Sequence, residues 1–77
     1  MDIEWDAAAD AAYIRLIPPD DAGQVARSIT LERVAETSGM PALLSVVLDF
    51  DQDSKLIGIE VQDARSLLRE STLPSPP

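Results

Sequence analysis

The sequence predicts a small α+β domain, an antiparallel sheet of about five strands arranged as a meander and covered on one face by a short C-terminal helix. Apolar and polar residues alternate with a period of two in several stretches, which is typical of strands with one buried face. Residues 46–61 form the longest apolar region and are interrupted by an acidic turn, as in a β-hairpin. Apolar residues at helical spacing follow this hairpin, so the covering helix is expected there.

Length and composition limit the chain to one small domain. Its 77 residues bury only about 60% of the surface that the unfolded chain exposes. We place the domain at residues 1–70 and expect residues 71–77, which hold three of the six prolines, to form a disordered tail. Cysteine and histidine are absent, so disulfides, the usual metal ligand and the usual near-neutral proton carrier are all missing. We therefore expect no enzyme, no catalytic residue and no cofactor.

The chain is strongly acidic. Fourteen acidic and six basic residues give a net charge of −8, the wrong sign for binding a phosphate backbone, so nucleic acid is not an expected partner. No apolar run reaches the roughly 20 residues of a membrane span and no secretion signal is recognisable, which predicts a cytoplasmic location and no membrane partner. A basic protein partner stays open beside the simpler interpretation that the charge keeps a small domain soluble.

The first half of the chain predicts three strands. Residues 2–6 alternate between acidic and apolar side chains, and residues 11–16 continue the pattern after a turn. The alanines in residues 7–12 leave one helical turn as an alternative for that stretch. Prolines and a glycine in residues 18–23 predict a loop, and alternation resumes in residues 26–32 as the third strand.

The connection before the hairpin and the segment after it are not strands. Residues 33–41 have weak helical character and end in glycine and proline, which predicts a surface excursion. Asp63 is the expected N-cap of a helix over residues 64–69. Its apolar residues, among them Leu67 and Leu68, fall on one stripe that is expected to pack on the sheet.

The pairing register of the central hairpin follows from its apolar residues. With Asp53 and Ser54 as a two-residue loop, apolar residues oppose one another on one face, namely Phe50 with Ile57, Leu48 with Ile59, and Val46 with Val61. The other face then carries the pairs Asp51 with Leu56, Asp49 with Gly58, and Val47 with Glu60. A slip of one residue would bring Glu60 onto the core face, so the pattern fixes the register.

The carboxylates of this hairpin imitate a calcium-binding loop. The weak metal candidates are Asp49, Asp51, Asp53 and Glu60, at the spacing of EF-hand positions 1, 3, 5 and 12. Ser54 stands where that loop needs glycine, and neither flank is helical. We therefore predict a hairpin with a solvated acidic face and no metal site.

Three apolar residues of this region point away from the predicted core. Leu43, Val47 and Leu56 are candidates for self-association, because one short helix cannot cover both faces of a sheet. The alternative is that they are scattered exposed apolar residues of the ordinary kind. A homodimer is the predicted state, since small domains gain from added burial.

Two blocks of residues resemble a known family. The first is Trp5-Asp6 followed by DAAYIRL (residues 10–16), and the second is VLDFDQDSKLIGIEV (residues 47–61) followed by Asp63-Ala64. Both are similar to motifs of the small bacterial "domain of unknown function 2283" family. The sequence departs from that pattern at Ala12, where leucine is usual, at Ser54, where glycine is usual, and in residues 33–41. The resemblance implies a small antiparallel sheet with a C-terminal helix, no established activity or cofactor, and an antitoxin-like or accessory role.

Taken with the composition, these patterns predict a non-enzymatic protein-interaction module that self-associates and binds a protein partner through its apolar strand face or its acidic surface. The alternative is a protein that uses the acidic hairpin face to bind a divalent metal or as a small enzyme. Paired carboxylates can do acid–base work when their pKa values are pushed apart. The amount of chain available to build a pocket around them is small.

Overall fold

A computed structural model describes residues 2–18, 20–21 and 23–74. It has an α+β fold with a five-stranded antiparallel sheet and two α-helices. The strands are β1 (Asp2–Asp6), β2 (Ala11–Arg15), β3 (Arg27–Thr30), β4 (Val46–Phe50) and β5 (Leu56–Gln62). The helices are α1 (Glu32–Ser38) and α2 (Ala64–Leu67), with 3₁₀ helices at Pro41–Ser45 and Glu70–Thr72.

The strand order corrects the predicted meander. Neighbouring strands follow the order β1-β2-β5-β4-β3, so β5 lies between β2 and β4 and the chain crosses to the far edge to form β3. The physical reason is that β5 is the strand with most to bury: Ile57, Gly58 and Val61 are all buried. A strand that pairs on both sides shields these residues better than an edge strand would.

The hairpin register is confirmed over most of its length. Val46 opposes Val61, Val47 opposes Glu60, Leu48 opposes Ile59, and Asp49 opposes Gly58. The two pairs predicted next to the turn, Phe50 with Ile57 and Asp51 with Leu56, are wrong. A bulge between Asp49 and Phe50 shifts the register, so that Phe50 opposes Leu56 instead of Ile57. Such a bulge accommodates the odd number of residues in the turn.

The turn is longer than the predicted two-residue loop. Asp51 N–H donates to the Lys55 carbonyl (2.9 Å) and Ser54 N–H donates to the Asp51 carbonyl (3.0 Å), so residues 52–54 form a three-residue loop. Within this loop, Ser54 is the residue with a left-handed backbone, with φ of 61°. The Asp51 carboxylate accepts the N–H groups of Asp53 and Lys55, both at 2.9 Å, which favours this wider turn over the tight one.

The main core cluster lies where α2 meets the sheet. Ala12, Val61 and Ala64 are buried together. Partly buried side chains surround them, namely Ile3, Trp5, Ile14, Ile59, Leu67, Leu68 and Leu73. The Arg65 guanidinium lies over the Trp5 ring at 5.1 Å from its centroid, so the rim of this cluster includes a cation–π contact.

The helix α2 is capped by a residue far away in the sequence. The predicted N-cap, Asp63, makes no side-chain cap and has a left-handed backbone. Instead, Asp10 in the β1–β2 turn accepts hydrogen bonds from the first two backbone N–H groups of α2. The Ala64 N–H donates to the Asp10 carbonyl (3.0 Å), and the Arg65 N–H donates to the Asp10 carboxylate (3.1 Å). Asp63 has φ of 51° and ψ of 46°, which is not the extended conformation typical of an N-cap residue, and Asp10 supplies the cap instead. The helix also ends at Leu67, two residues before the predicted end.

The segments predicted as irregular carry short helices. Residues 33–41 include most of α1, whose Ala35 is buried. Beyond the predicted domain end at residue 70, a 3₁₀ helix and Leu73 continue, and Leu73 packs against the core cluster. Pro19 and Ala22 of the predicted loop and residues 75–77 of the predicted tail lie outside the described residues. Within the described part of the chain, no helix has the length and apolarity needed to cross a membrane.

Candidate functional site

The sheet face opposite the core cluster is acidic, and we call it the acidic face. Side chains on it alternate with those that pack on α2, and they fall into two rows across the strands. The first row of opposed residues runs Glu4, Tyr13, Glu60, Val47 and Thr30. The second runs Asp2, Arg15, Gly58, Asp49 and Ser28. These two rows bring four carboxylates and one arginine onto a single surface, and Asp6 lies on the same face of β1 beyond Glu4.

Asp49 is the buried charge-bearing residue at the centre of this face. Its exposed fraction is 2%, and it is the one buried polar or charged residue among those that the structure describes. Ser28 on β3 donates its hydroxyl to Asp49 Oδ1 at 2.7 Å. Burying a carboxylate is unfavourable unless hydrogen bonds compensate it. The Ser28 hydroxyl supplies part of that compensation.

Glu60 lies diagonally across from Asp49 on the neighbouring strand. A hydrogen bond to Asp49, followed by burial and by the negative charge of Asp49, raises the pKa of the Glu60 carboxyl above its ordinary value. The protonated Glu60 carboxyl can donate to the Asp49 carboxylate, whereas two ionised carboxylates would repel each other. Glu60 therefore binds its proton more tightly than a solvated glutamate does.

Tyr13 covers the backbone between these two carboxylates. Its hydroxyl and ring lie so close to Gly58 that a Cβ added there would overlap the Tyr13 hydroxyl and lie 3.0 Å from Cε1. Burial, and then the charges of Asp49 and Glu60, raise the pKa of the Tyr13 phenol, so it stays a neutral hydrogen-bond donor. A glycine within a strand is the sequence signal of such a close approach, and Gly58 could have indicated it.

A shallow cavity adjoins this cluster. It measures about 310 Å³ and its lining includes Tyr13, Glu60, Glu4 and Gln62. That volume is at the lower limit of small-molecule sites. The acidic face therefore presents two neighbouring carboxyl groups, a phenol and a small adjoining cavity.

The four weak metal candidates fall into two separate groups. Asp49 and Glu60 lie on the acidic face, whereas Asp51 and Asp53 belong to the hairpin turn. The Asp51 carboxylate is already engaged by two backbone N–H groups of that turn. Across the described ranges, no three acidic side chains come together in an arrangement able to hold a metal ion.

The three self-association candidates also lie apart. Val47 is half-buried on the acidic face beside Glu60, and Leu56 lies at the other end of the hairpin opposite Phe50, with 37% of its surface exposed. Leu43 lies in the 3₁₀ helix Pro41–Ser45 and is half-buried. Sequence reasoning did not single out the other exposed large apolar residues of the described chain, which are Leu16, Val25, Ile29, Val34, Met40 and Leu44.

Comparison with known proteins identifies a family. No curated protein and no solved structure matches the chain. The family model described as "Protein of unknown function (DUF2283)" matches residues 2–65, which include all five strands and the start of α2. The match covers most of the 77 residues, and it includes both blocks on which the sequence resemblance depended. The chain therefore belongs to the DUF2283 family of proteins of unknown function.

Proposed function

We propose that this protein is a non-enzymatic protein-interaction module that self-associates. The observation that carries the proposal is the small size of its buried core. Buried hydrophobic residues of the described chain number five, and three of them, Ala12, Ala35 and Ala64, are alanines. No large side chain in that part is fully buried, and seven large hydrophobic residues are exposed.

This distribution supports self-association on energetic grounds. Each buried methylene contributes about 0.8 kcal/mol, so a core rich in alanine gives a small domain little stability. Domains below about 80 residues commonly add disulfides, metals or a partner subunit to compensate. The chain has no cysteine or histidine, and burial against a second copy is the remaining device that its exposed apolar residues can serve.

Sedimentation velocity over a concentration series tests the proposal. We expect the weight-average mass to rise from one chain toward two between about 10 μM and about 1 mM, the range of weak specific association. A mass of one chain throughout this series would refute self-association. Single lysine substitutions of Leu43, Val47 and Leu56 then test the residues predicted from sequence: a shift of the series toward the monomer places that residue in the interface, and an unchanged series excludes it.

The acidic face supports a basic protein as a further partner. Asp2, Glu4, Asp49 and Glu60 share it with one arginine, and the whole chain carries a charge of −8. Potentials of opposite sign increase association rates in a salt-dependent way. A partner of this kind would fit the antitoxin-like or accessory role that the family resemblance implies.

The Asp49–Glu60 pair favours a second candidate function, in which the carboxylates bind a divalent metal or do acid–base work. A raised Glu60 pKa beside a buried carboxylate is typical of acid–base sites, although ordinary structural pairs show it too. A thermal-shift titration with calcium, magnesium and manganese separates the two functions, since a ligand that binds the native state raises its apparent stability. No shift at millimolar metal would exclude the metal site.

A further inference from the structure

We infer that two copies of this chain join through their β3 edges, with Ile29 of one copy opposite Ile29 of the other. This inference rests on the proposed self-association and specifies its interface. It would extend the five-stranded sheet into a continuous sheet across a two-fold axis. Three features of the molecule support this contact: the charges of the two sheet edges, the faces of the β3 side chains and the apolar surface beside them.

The two edges of the sheet differ in charge. The strand order leaves β1 and β3 at the edges, where unpaired N–H and C=O groups can accept a further strand. Asp2, Glu4 and Asp6 of β1 are exposed, and charged side chains of this kind prevent an edge from pairing with its own copy. The strand β3 has the sequence RSIT with a single charge, and all four of its residues are exposed. Of the two edges, β3 is therefore the one without protection.

Alternation along β3 limits the possible register. Two strands in one continuous antiparallel sheet place opposed residues on the same face, so Ile29 can oppose its own copy while Ser28 opposes Thr30. In this register each isoleucine, which is 40% exposed in the single chain, is shielded by the other. Arg27 then lies opposite Leu31, beyond the end of the strand, so the two arginines do not meet.

The surface next to Ile29 is also apolar. Leu48 opposes Ile29 on β4, and Phe50 follows two residues later on the same face. Both are half-buried, and neither packs against the core cluster that α2 closes. Val25, just before β3, is 49% exposed. A second copy, with its own Ile29 on β3 and Leu48 on β4, would continue this apolar surface.

Charge repulsion between two copies is lowest in this arrangement. Strands lie about 4.8 Å apart, so the two β1 edges of a paired sheet are nine strand spacings, or about 43 Å, from each other. That separation is several times the screening length of about 8 Å at physiological salt. A net charge of −8 on each copy therefore opposes this contact less than it would oppose one made by β1 or by the acidic face.

The contact is expected to be weak. Each β3 has four residues, or about 13 Å of strand, and such a short pair buries less than the roughly 1,200 Å² of a standard stable interface. We therefore expect a dissociation constant in the high micromolar range, which lies within the concentrations of the sedimentation series.

A single engineered cysteine tests the geometry, because the chain contains none. Ile29→Cys places two thiols opposite each other, within the Cα separation that a disulfide spans. We expect mild oxidation to convert most of this variant into a covalent dimer that reductant reverses. Leu44→Cys is the matched control, since Leu44 is 56% exposed and lies outside the sheet, and it should cross-link at least tenfold more slowly. Equal cross-linking rates at the two positions would overturn the inference.

A non-covalent variant provides an independent measurement. Ile29→Lys should shift the sedimentation series to the monomer while the circular-dichroism spectrum and melting temperature stay near those of the parent, and Leu44→Lys should leave the series unchanged. A dimer that persists in Ile29→Lys would refute the β3 contact and leave self-association standing. A parent chain that is monomeric throughout would refute both.

Discussion

Replacement of Gly58 by alanine provides the most direct test of how the acidic face is built. An added Cβ would overlap the Tyr13 hydroxyl and lie 3.0 Å from Cε1 of its ring, so the ring must swing off the strand. Overpacking of this kind costs about 1–3 kcal/mol, whereas alanine in place of a strand glycine gains about 0.5–1 kcal/mol. We expect Gly58→Ala to lower the free energy of unfolding by about 1 kcal/mol, the difference between the midpoints of these two ranges.

A double-mutant cycle isolates the Tyr13 contact. In a Tyr13→Ala background the space above residue 58 is empty, and only the gain from alanine is left, so Gly58→Ala should stabilise that background by about 0.5–1 kcal/mol. Urea unfolding followed by circular dichroism measures all four proteins. Each kcal/mol also shifts the melting temperature by about 4–8 °C in a domain of this size. If Gly58→Ala is neutral or stabilising with Tyr13 present, the ring does not cover Gly58 and the reasoning is refuted.

Three further predictions concern the turn, the carboxyl pair and the helix cap. Ser54→Gly should raise the free energy of unfolding by about 1 kcal/mol in urea unfolding, because Ser54 has φ of 61° and glycine adopts that conformation freely; an unchanged midpoint would contradict this. The folded-state pKa of Glu60 is raised, so the stability it contributes is full below the ordinary pKa and is lost as pH rises through the raised value. Glu60→Gln should therefore flatten the fall in stability that follows as pH rises above the ordinary glutamate pKa of 4.5, and should add about 0.2–1 kcal/mol once both carboxyls are ionised, by removing a like charge; Glu4→Gln on the same face is the matched control. Asp10→Ala should lower stability by about 0.5–2 kcal/mol more than Asp63→Ala, because both replace a left-handed aspartate (φ of 52° and 51°) and only the Asp10 carboxylate caps α2; equal losses in thermal melts would contradict this cap.

Local patterns predicted the strands well because each of them depends only on alternation. The register of β4 and β5 was predicted from the alternation of apolar and polar residues. Four of the predicted pairs, those of residues Val46 to Asp49, are present in the structure. The turn did not follow, since the Asp51 carboxylate bonds to two N–H groups of its own loop and makes a three-residue turn preferable. The strand order could not be predicted either, because local alternation does not indicate which strand lies at the centre of a sheet.

Long-range contacts explain the other differences. Asp63 has the residue type and position of an N-cap, yet Asp10, which lies 55 residues before Arg65, makes the cap. Ser28 and Asp49 are 21 residues apart and meet only because β3 pairs with β4. Contacts of this kind depend on how strands are ordered, so they could not be predicted before the topology was known. Gly58 was the residue whose type alone could have indicated a close neighbour.

Neither strand pairing nor core packing explains why residue 49 is an aspartate. The register is fixed by the apolar pairs on the other face, and the residue opposite Asp49 is a glycine that requires no particular partner. Asparagine could accept the Ser28 hydroxyl equally well without placing a charge at 2% exposure beside Glu60. Sequences depart from the locally consistent choice mainly at functional or strained sites. The buried acid therefore directs functional experiments to the acidic face, and Asp49→Asn, which keeps the size and the hydrogen bond, is the substitution that separates its charge from its structural role.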